Sequence, residues 1–433
     1  MEMTAILLLV CFFTLLLINV PISISIALST LLALVLHMDF TPAATTIAQQ
    51  MIGGIDSFAL LAIPFFILSG LIMGQGGIAR RLIESAMAMV GFLPGGLALV
   101  NVMSCMMFGA ISGSAVAATS AIGSFMVPEM KKHGYSENFA AAVTASAATT
   151  GMLIPPSNIL IIYAIASGGV SIAALFVAGY LPGILLGLTL MLVCAIYSLK
   201  NNYPVAARLP LALVLEKVIA AIPSLLLIII VIGGIIGGVF TATEAGAVAV
   251  LYALVLAVFV YKELSLDELP KLLLKACETT AIVMLIIAAS SAMSWVLSYS
   301  HIPQIVSQFF LTLSDNPLLI LLLINLILIL VGAFIDMTPA VLIFTPIFLP
   351  VAAQFGMSPV QFGVMIVLNL SIGLVSPPVG SVLFVSCAVA KTSLHKIIKP
   401  MLPLYCVMFM VLMLVTYLPA ISEFLPRLLG LID

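Results

Sequence analysis

Thr149-Thr150-Gly151-Met152-Leu153-Ile154-Pro155-Pro156-Ser157-Asn158 interrupts an otherwise apolar run with a glycine, two prolines and four hydroxyl or amide side chains. Proline has no backbone donor, and Pro156 disfavours helical geometry at Pro155, so the carbonyls from Gly151 to Ile154 lose their helical partners. Hydrocarbon offers no replacement, and such groups must be buried in protein or face a polar cavity. The stretch therefore predicts a break inside a membrane helix.

The same device stands 222 residues later as Ser371-Ile372-Gly373-Leu374-Val375-Ser376-Pro377-Pro378-Val379-Gly380. That shift also carries Pro128 onto Pro350, Gly134 onto Gly356, Ser136 onto Ser358 and Ser171 onto Ser393. The chain is a duplication. Matched Gly/Pro interruptions in two hydrophobic halves point to the substrate and ion site of a secondary transporter.

Composition supports a membrane setting. Of 433 residues, 64% are hydrophobic and 7% charged, where a globular chain has about a quarter charged. Several apolar runs reach the roughly 20 residues that a spanning helix needs. A net charge of -2 without a basic cluster sets nucleic acid aside. Cys11, Cys105, Cys194, Cys277, Cys387 and Cys406 are scattered through apolar runs without paired spacing, and read as small core residues. The N-terminus has no basic segment before its first apolar run, which is expected to be a retained span.

Lys and Arg placement orders the spans. Ala5 to Leu36 is broken at Asn19-Val20-Pro21 into two short helices; His37 to Asp56 is a polar connection; residues 57–74 form a third span before Arg80 and Arg81. The run 91–130 carries basic residues at both ends, so the positive-inside rule makes it a re-entrant hairpin from the cytoplasm, with Ser112-Gly113-Ser114 at its tip. The broken run 137–167 crosses outward and 172–199 returns. A cytoplasmic linker, 200–217, with Lys200, Arg208 and Lys217, separates a first repeat (1–199) from a second (218–433). There, 218–238, 243–261 and 279–299 are spans, with Lys262 to Glu278 an amphipathic cytoplasmic linker. The run 317–355 has no basic residue at either end and is a hairpin from outside, tipped by Asp336-Met337-Thr338-Pro339. The broken run 359–390 reaches Lys391, and 401–420 leaves outward. The expected fold is an all-α polytopic membrane protein of two inverted repeats, with about ten spans, two opposed hairpins, two broken helices and both termini outside.

Four interruptions then converge at mid-membrane: the two tips and the breaks at Gly151 to Asn158 and Gly373 to Gly380. Unpaired carbonyls and side-chain oxygens suit a cation such as sodium, and helix N-termini after the breaks suit an anion. Pro155, Pro156, Ser157, Asn158, Pro377, Pro378 and Gly380 are the expected substrate-binding positions. Asp336 stands out, because a carboxylate at membrane depth is costly and usually functional; the bland alternative is a cap or ion-pair partner nearer the surface. For Ser112-Gly113-Ser114 the alternative is close packing of small residues. Gly233-Gly234 and Gly237-Gly238 read as a packing surface, and Glu244 as a turn residue. No GxxxxGK[ST] or HExxH is present, which argues against a P-loop ATPase and a zincin-like protease. A proton-coupled carrier or an ion channel of similar architecture remains the alternative.

Leu93-Pro94-Gly95-Gly96-Leu97, Gly109-Ala110-Ile111-Ser112-Gly113-Ser114, Val127-Pro128-Glu129-Met130, Ile154-Pro155-Pro156-Ser157 and Phe240-Thr241-Ala242-Thr243-Glu244-Ala245 together resemble the large membrane subunit (DctM-like) of tripartite ATP-independent periplasmic (TRAP) transporters. Ala242 departs from the usual proline of that last motif. The resemblance implies import of an organic acid, a C4-dicarboxylate or a sialic acid, by sodium symport across the bacterial inner membrane. It implies no enzymatic activity and no cofactor beyond the coupling sodium ions. It also implies an elevator motion of a transport domain against a scaffold, and three kinds of partner: a separate four-helix small membrane subunit, a soluble periplasmic binding protein, and surrounding lipid. The family's cation sites fall here on Ser112, Gly113, Ser114, Thr150, Gly151, Asp336, Thr338, Gly373 and Ser376.

Overall fold

Helices make up every regular element among residues 2–203, 205, 209–314 and 316–432, which the computed structural model describes. Arg208 of the linker lies outside the described residues. Helices α1 (Glu2–Leu17) and α2 (Ile22–Val35) pack on each other. Between them Asn19 takes a left-handed conformation at φ 65°, and Pro21 caps α2. Their interruption is thus where the sequence places it.

Helix α3 (Phe40–Ile55) occupies what the sequence presents as a polar connection. Its polar residues hid a one-sided helix: only Ala43 and Ile47, four residues apart, are buried, on the side packed against α2 and, later in the chain, 269–299. Next come α4 (Ala62–Gln75) and α5 (Ile78–Val90). Arg80 and Arg81 at the start of α5 both reach Glu263, at 2.6 and 2.8 Å, and Arg81 also lies over the Tyr261 ring at 3.7 Å. Glu84 pairs with Lys217 at 2.8 Å. Pairs this exposed to solvent contribute little to stability. Their role is to register α5 against neighbouring segments.

The first hairpin is α6 (Gly96–Ser112) and α7 (Ala115–Lys132). Gly113 turns the chain at φ +60°, and Ser114 accepts from the Ala117 N–H to cap α7. The first broken helix follows as α8 (Glu137–Ala148) and α9 (Asn158–Ala166). α8 is buried on every side, and its run of Ala, Ser and Thr lets α6 and α7 approach closely. Then α10 (Ile172–Lys200) closes this half, and α11 (Leu211–Ile236) and α12 (Ala242–Leu254) open the next. Glu244 completes a capping box with Thr241, as expected of a turn residue.

The remaining helices are α13 (Leu269–Tyr299), α14 (Ile302–Leu313), α15 (Pro317–Phe334), α16 (Met337–Gln354), α17 (Pro359–Leu374), α18 (Ser381–Ala390), α19 (Leu394–Tyr417) and α20 (Pro419–Leu428). Adding 222 carries α6, 96–112, onto 318–334, and α7, 115–132, onto 337–354; α15 and α16 occupy those positions. The duplicated small residues acquire matching jobs. Gly134 and Gly356 take positive φ of 82° and 85° after the hairpins, while Ser136 and Ser358 both cap the broken helices by accepting a backbone N–H three residues on.

Eight helical stretches among the described residues are long and apolar enough to cross a membrane, and two of these are the arms α15 and α16. The helices α1, α2, α6, α17 and α18 are apolar but shorter. The two broken helices also bond to each other across the duplication. Tyr163 of α9 donates to the Pro359 carbonyl of α17 at 2.5 Å, and Ser386 of α18 donates to the Ala141 carbonyl of α8 at 2.7 Å.

Candidate functional site

Each hairpin meets the break of its own half. The Gly113 tip sits against the Pro156 carbonyl and the Asn158 amide, where an added Cβ would lie 3.3–3.4 Å from them. The Ala115 N–H approaches the Met152 sulfur at 3.2 Å. In the second half the Val379 N–H donates to the Ala333 carbonyl at 3.2 Å. Behind the tips the backbones nearly touch: a Cβ on Gly151 would lie 2.4 Å from the Gly109 Cα, and one on Gly373 would lie 2.5 Å from the Gly332 Cα. Only glycine allows these crossings.

One cavity of about 180 Å³ gathers both tips. Gly113, Ser114, Asn158, Asp336 and Thr338 line it together with Met152 and Leu374, and Asp336 is the one ionisable residue of its lining. Three helices open onto it: Ala115 and Val116 begin α7, Asn158 and Ile159 begin α9, and Met337 and Thr338 begin α16. Each such end carries about half a positive charge. A second cavity of about 110 Å³ shares Asp336 and Leu374 and adds Gly332, Val379, Gly380 and Ser381.

Asp336 occupies the N-cap position of α16 without a side-chain cap bond, and none of the ion pairs among the described residues includes it. Its counterpart under the 222-residue shift is Ser114, which does cap its helix. Asn158 Oδ1, Ser112 Oγ and Ser381 Oγ are buried without a hydrogen-bond partner. The site thus combines three positive helix ends, a carboxylate outside every ion pair among the described residues, and unfilled oxygen acceptors. It can hold an anion and a cation side by side.

The other expected positions line neither of these two cavities. Thr150 Oγ1 donates to the Ala147 carbonyl at 2.6 Å, Ser157 Oγ to Met152 at 2.6 Å and Ser376 Oγ to Ile372 at 2.7 Å. Gly151 and Gly373 form the close crossings. Both Pro-Pro bonds, Pro155-Pro156 and Pro377-Pro378, are cis. Matched in sequence, the breaks differ in burial: Pro155, Pro156 and Ser157 are buried, whereas Pro377, Pro378 and Val379 are exposed. Tyr405 of α19 donates to the Val375 carbonyl beside the second break. Ile63 and Ile67 of α4 and Thr279 and Val283 of α13 also line the main cavity. No motif in the sequence marks them; for Thr279 the one available signal is that the 222-residue shift pairs it with another hydroxyl, Ser57.

Comparison with known proteins agrees with this architecture. The family model described as "Tripartite ATP-independent periplasmic transporter, DctM component" matches residues 9–421. A C4-dicarboxylate TRAP transporter large permease protein of Pseudomonas aeruginosa is 41% identical over 94% of this chain and 95% of its own length. A sialic acid TRAP transporter large permease protein of Vibrio cholerae is 40% identical over 88% of this chain and 89% of its own. Among solved structures, the YdaH transporter of Alcanivorax borkumensis aligns with a TM-score of 0.60 over 88% of this chain and 89% of its own at 15% identity, which is a likeness of fold. A family match across nearly the whole chain, together with relatives at about two-fifths identity over most of both lengths, makes this protein a member of the DctM family, the multi-pass large permease component of TRAP transporters and not an enzyme.

Proposed function

We propose that this permease imports a small organic acid by sodium symport, with the carboxylate held at the openings of α7, α9 and α16 and the cation near Asp336. The observation that carries this reading is the meeting of three helix N-termini and one carboxylate, which none of the described ion pairs includes, in a single cavity. Sodium is bound by hard oxygens, and Ser112, Gly113, Ser114, Thr150, Gly151, Asp336, Thr338, Gly373 and Ser376 supply carbonyl, hydroxyl and carboxylate oxygens around the tips and breaks. Relatives named for a C4-dicarboxylate and for sialic acid both carry carboxylates. The unequal burial of the two breaks supports alternating access, in which two matched halves exchange conformations.

The moving body in this reading contains both hairpins and both broken helices, tied by the Tyr163–Pro359 and Ser386–Ala141 bonds. It slides against a scaffold that includes α1 to α3 and α11 to α13. A separate small membrane subunit and a periplasmic binding protein complete the assembly in the inner membrane, with both termini of this chain periplasmic. In intact cells, Ser167→Cys is expected to react with a membrane-impermeant thiol reagent from outside, and Lys132→Cys only after the cytoplasmic face is opened. Reaction of both from one side would overturn the proposed path of the first broken helix.

Sodium coupling has a direct test. The purified complex of large and small subunits should melt at a higher temperature in sodium than in potassium at matched ionic strength, because a ligand that binds only the native state stabilises it by RT ln(1 + [L]/Kd). At a sodium concentration ten times its Kd this amounts to about 1.4 kcal/mol. Equal melting in the two salts would turn the reading to proton coupling or a channel.

A further inference from the structure

We propose that Thr279 reads a hydroxyl group on the transported acid, and so selects hydroxylated carboxylates over their deoxy counterparts. The inference rests on the cavity being the substrate site. That cavity has two unlike walls. The hairpin tips and the first break supply the helix openings, Ser114, Asn158 and Asp336, whereas α4 and α13 supply Ile63, Ile67, Val283 and Thr279. Thr279 is the one polar side chain on the second wall.

Its hydroxyl proton is already committed. Thr279 Oγ1 donates to the Lys275 carbonyl one turn earlier, at 2.9 Å. A hydroxyl so engaged offers a ligand only its lone pairs. An ionised carboxylate also has only acceptors, so it gains nothing from Thr279 and goes to the helix openings across the cavity. What Thr279 can receive is a donor, the O–H of a hydroxy acid. Leucine-like neighbours Ile63, Ile67 and Val283 offer that hydroxyl no other partner, so an acid placed there without one loses nothing and a hydroxy acid gains one bond.

A second observation concerns the duplication. The 222-residue shift pairs Thr279 with Ser57, and Ser57 lines a separate cavity of about 540 Å³ formed with Gly169 to Ala173 and Phe240 to Ala242. Matched positions in the two halves therefore both bring a hydroxyl to a cavity wall. In a carrier whose halves exchange conformations, each would face the ligand in turn.

The test uses the complex of large and small membrane subunits in detergent without the binding protein, whose own selectivity would otherwise mask the effect. Apparent affinities for two pairs of acids differing by one hydroxyl, succinate with malate and propionate with lactate, are measured by thermal-shift titration. In the wild type the hydroxy acid of at least one pair should bind roughly fivefold more tightly, the worth of one neutral hydrogen bond. Thr279→Val should erase that preference while leaving the deoxy acid's affinity and the ligand-free melting temperature unchanged, and Thr279→Ser should retain it. A preference undiminished in Thr279→Val, or absent from the wild type, overturns the role of Thr279 while leaving the cavity as the substrate site. If no acid stabilises any variant, the substrate-site reading falls and this inference with it.

Discussion

Asp336→Ala is expected to lower sodium-driven uptake by about 10- to 100-fold while the protein still inserts and folds. The carboxylate is the one ionisable group in the cavity lining and takes no part in the ion pairs among the described residues. A contact to a charged group is worth roughly 1.5–3 kcal/mol, or about 10- to 150-fold in binding. Here the partner lost would be the coupling ion. Because no Lys or Arg is left stranded by the change, the melting temperature in potassium should stay within a few degrees of wild type. The measurement is radiolabelled uptake into proteoliposomes holding the full three-component system under an inward sodium gradient, with melting recorded alongside. Wild-type uptake in the variant would remove Asp336 from the mechanism. Loss of the folded protein would make it structural instead, contrary to its absence from the ion pairs among the described residues.

Gly373→Ala and Gly151→Ala are expected to be strongly destabilising, although helix propensity alone argues the opposite. In a helix interior alanine is favoured over glycine by about 1 kcal/mol. At these positions the added Cβ would stand 2.5 Å from the Gly332 Cα and 2.4 Å from the Gly109 Cα, and backbone cannot swing aside as a flexible side chain would. Overpacking of this kind costs about 1–3 kcal/mol and more where no neighbour yields. The crossings set how each hairpin lies on its broken helix, so uptake should fall together with the melting temperature. Gly233→Ala is the control. Nothing lies within 4 Å of its Cβ position, and it should be neutral or stabilising. Equal melting of Gly373→Ala and Gly233→Ala would show that the crossing has slack.

Much of the architecture is legible because membrane helices carry their signals locally. Pro155-Pro156 and Pro377-Pro378 announce breaks through the chemistry of proline, and Gly113 and Asp336 mark the hairpin tips by interrupting apolar runs. The missed elements have a physical reason as well. α3 and α14 contain no long apolar run; α3 buries little more than Ala43 and Ile47, so its composition resembles that of a loop. The lining residues of α4 and α13 are equally silent in sequence. An isoleucine or a threonine in an apolar helix looks the same whether it faces lipid, another helix or a cavity.

By itself the sequence determined that the chain lives in a membrane, that it is duplicated at a spacing of 222, and that four interruptions can act together. These follow from backbone chemistry and hydropathy, which each segment carries wherever it is placed. The tertiary structure alone decided which interruptions share a wall. It brought Asp336 and Thr279 to one cavity among three helix openings, and it left Thr150, Gly151, Gly373 and Ser376 outside that cavity's lining. It also buried one break and exposed its twin. Two like sequences cannot state that difference, because it arises from where each half rests against the remainder of the protein.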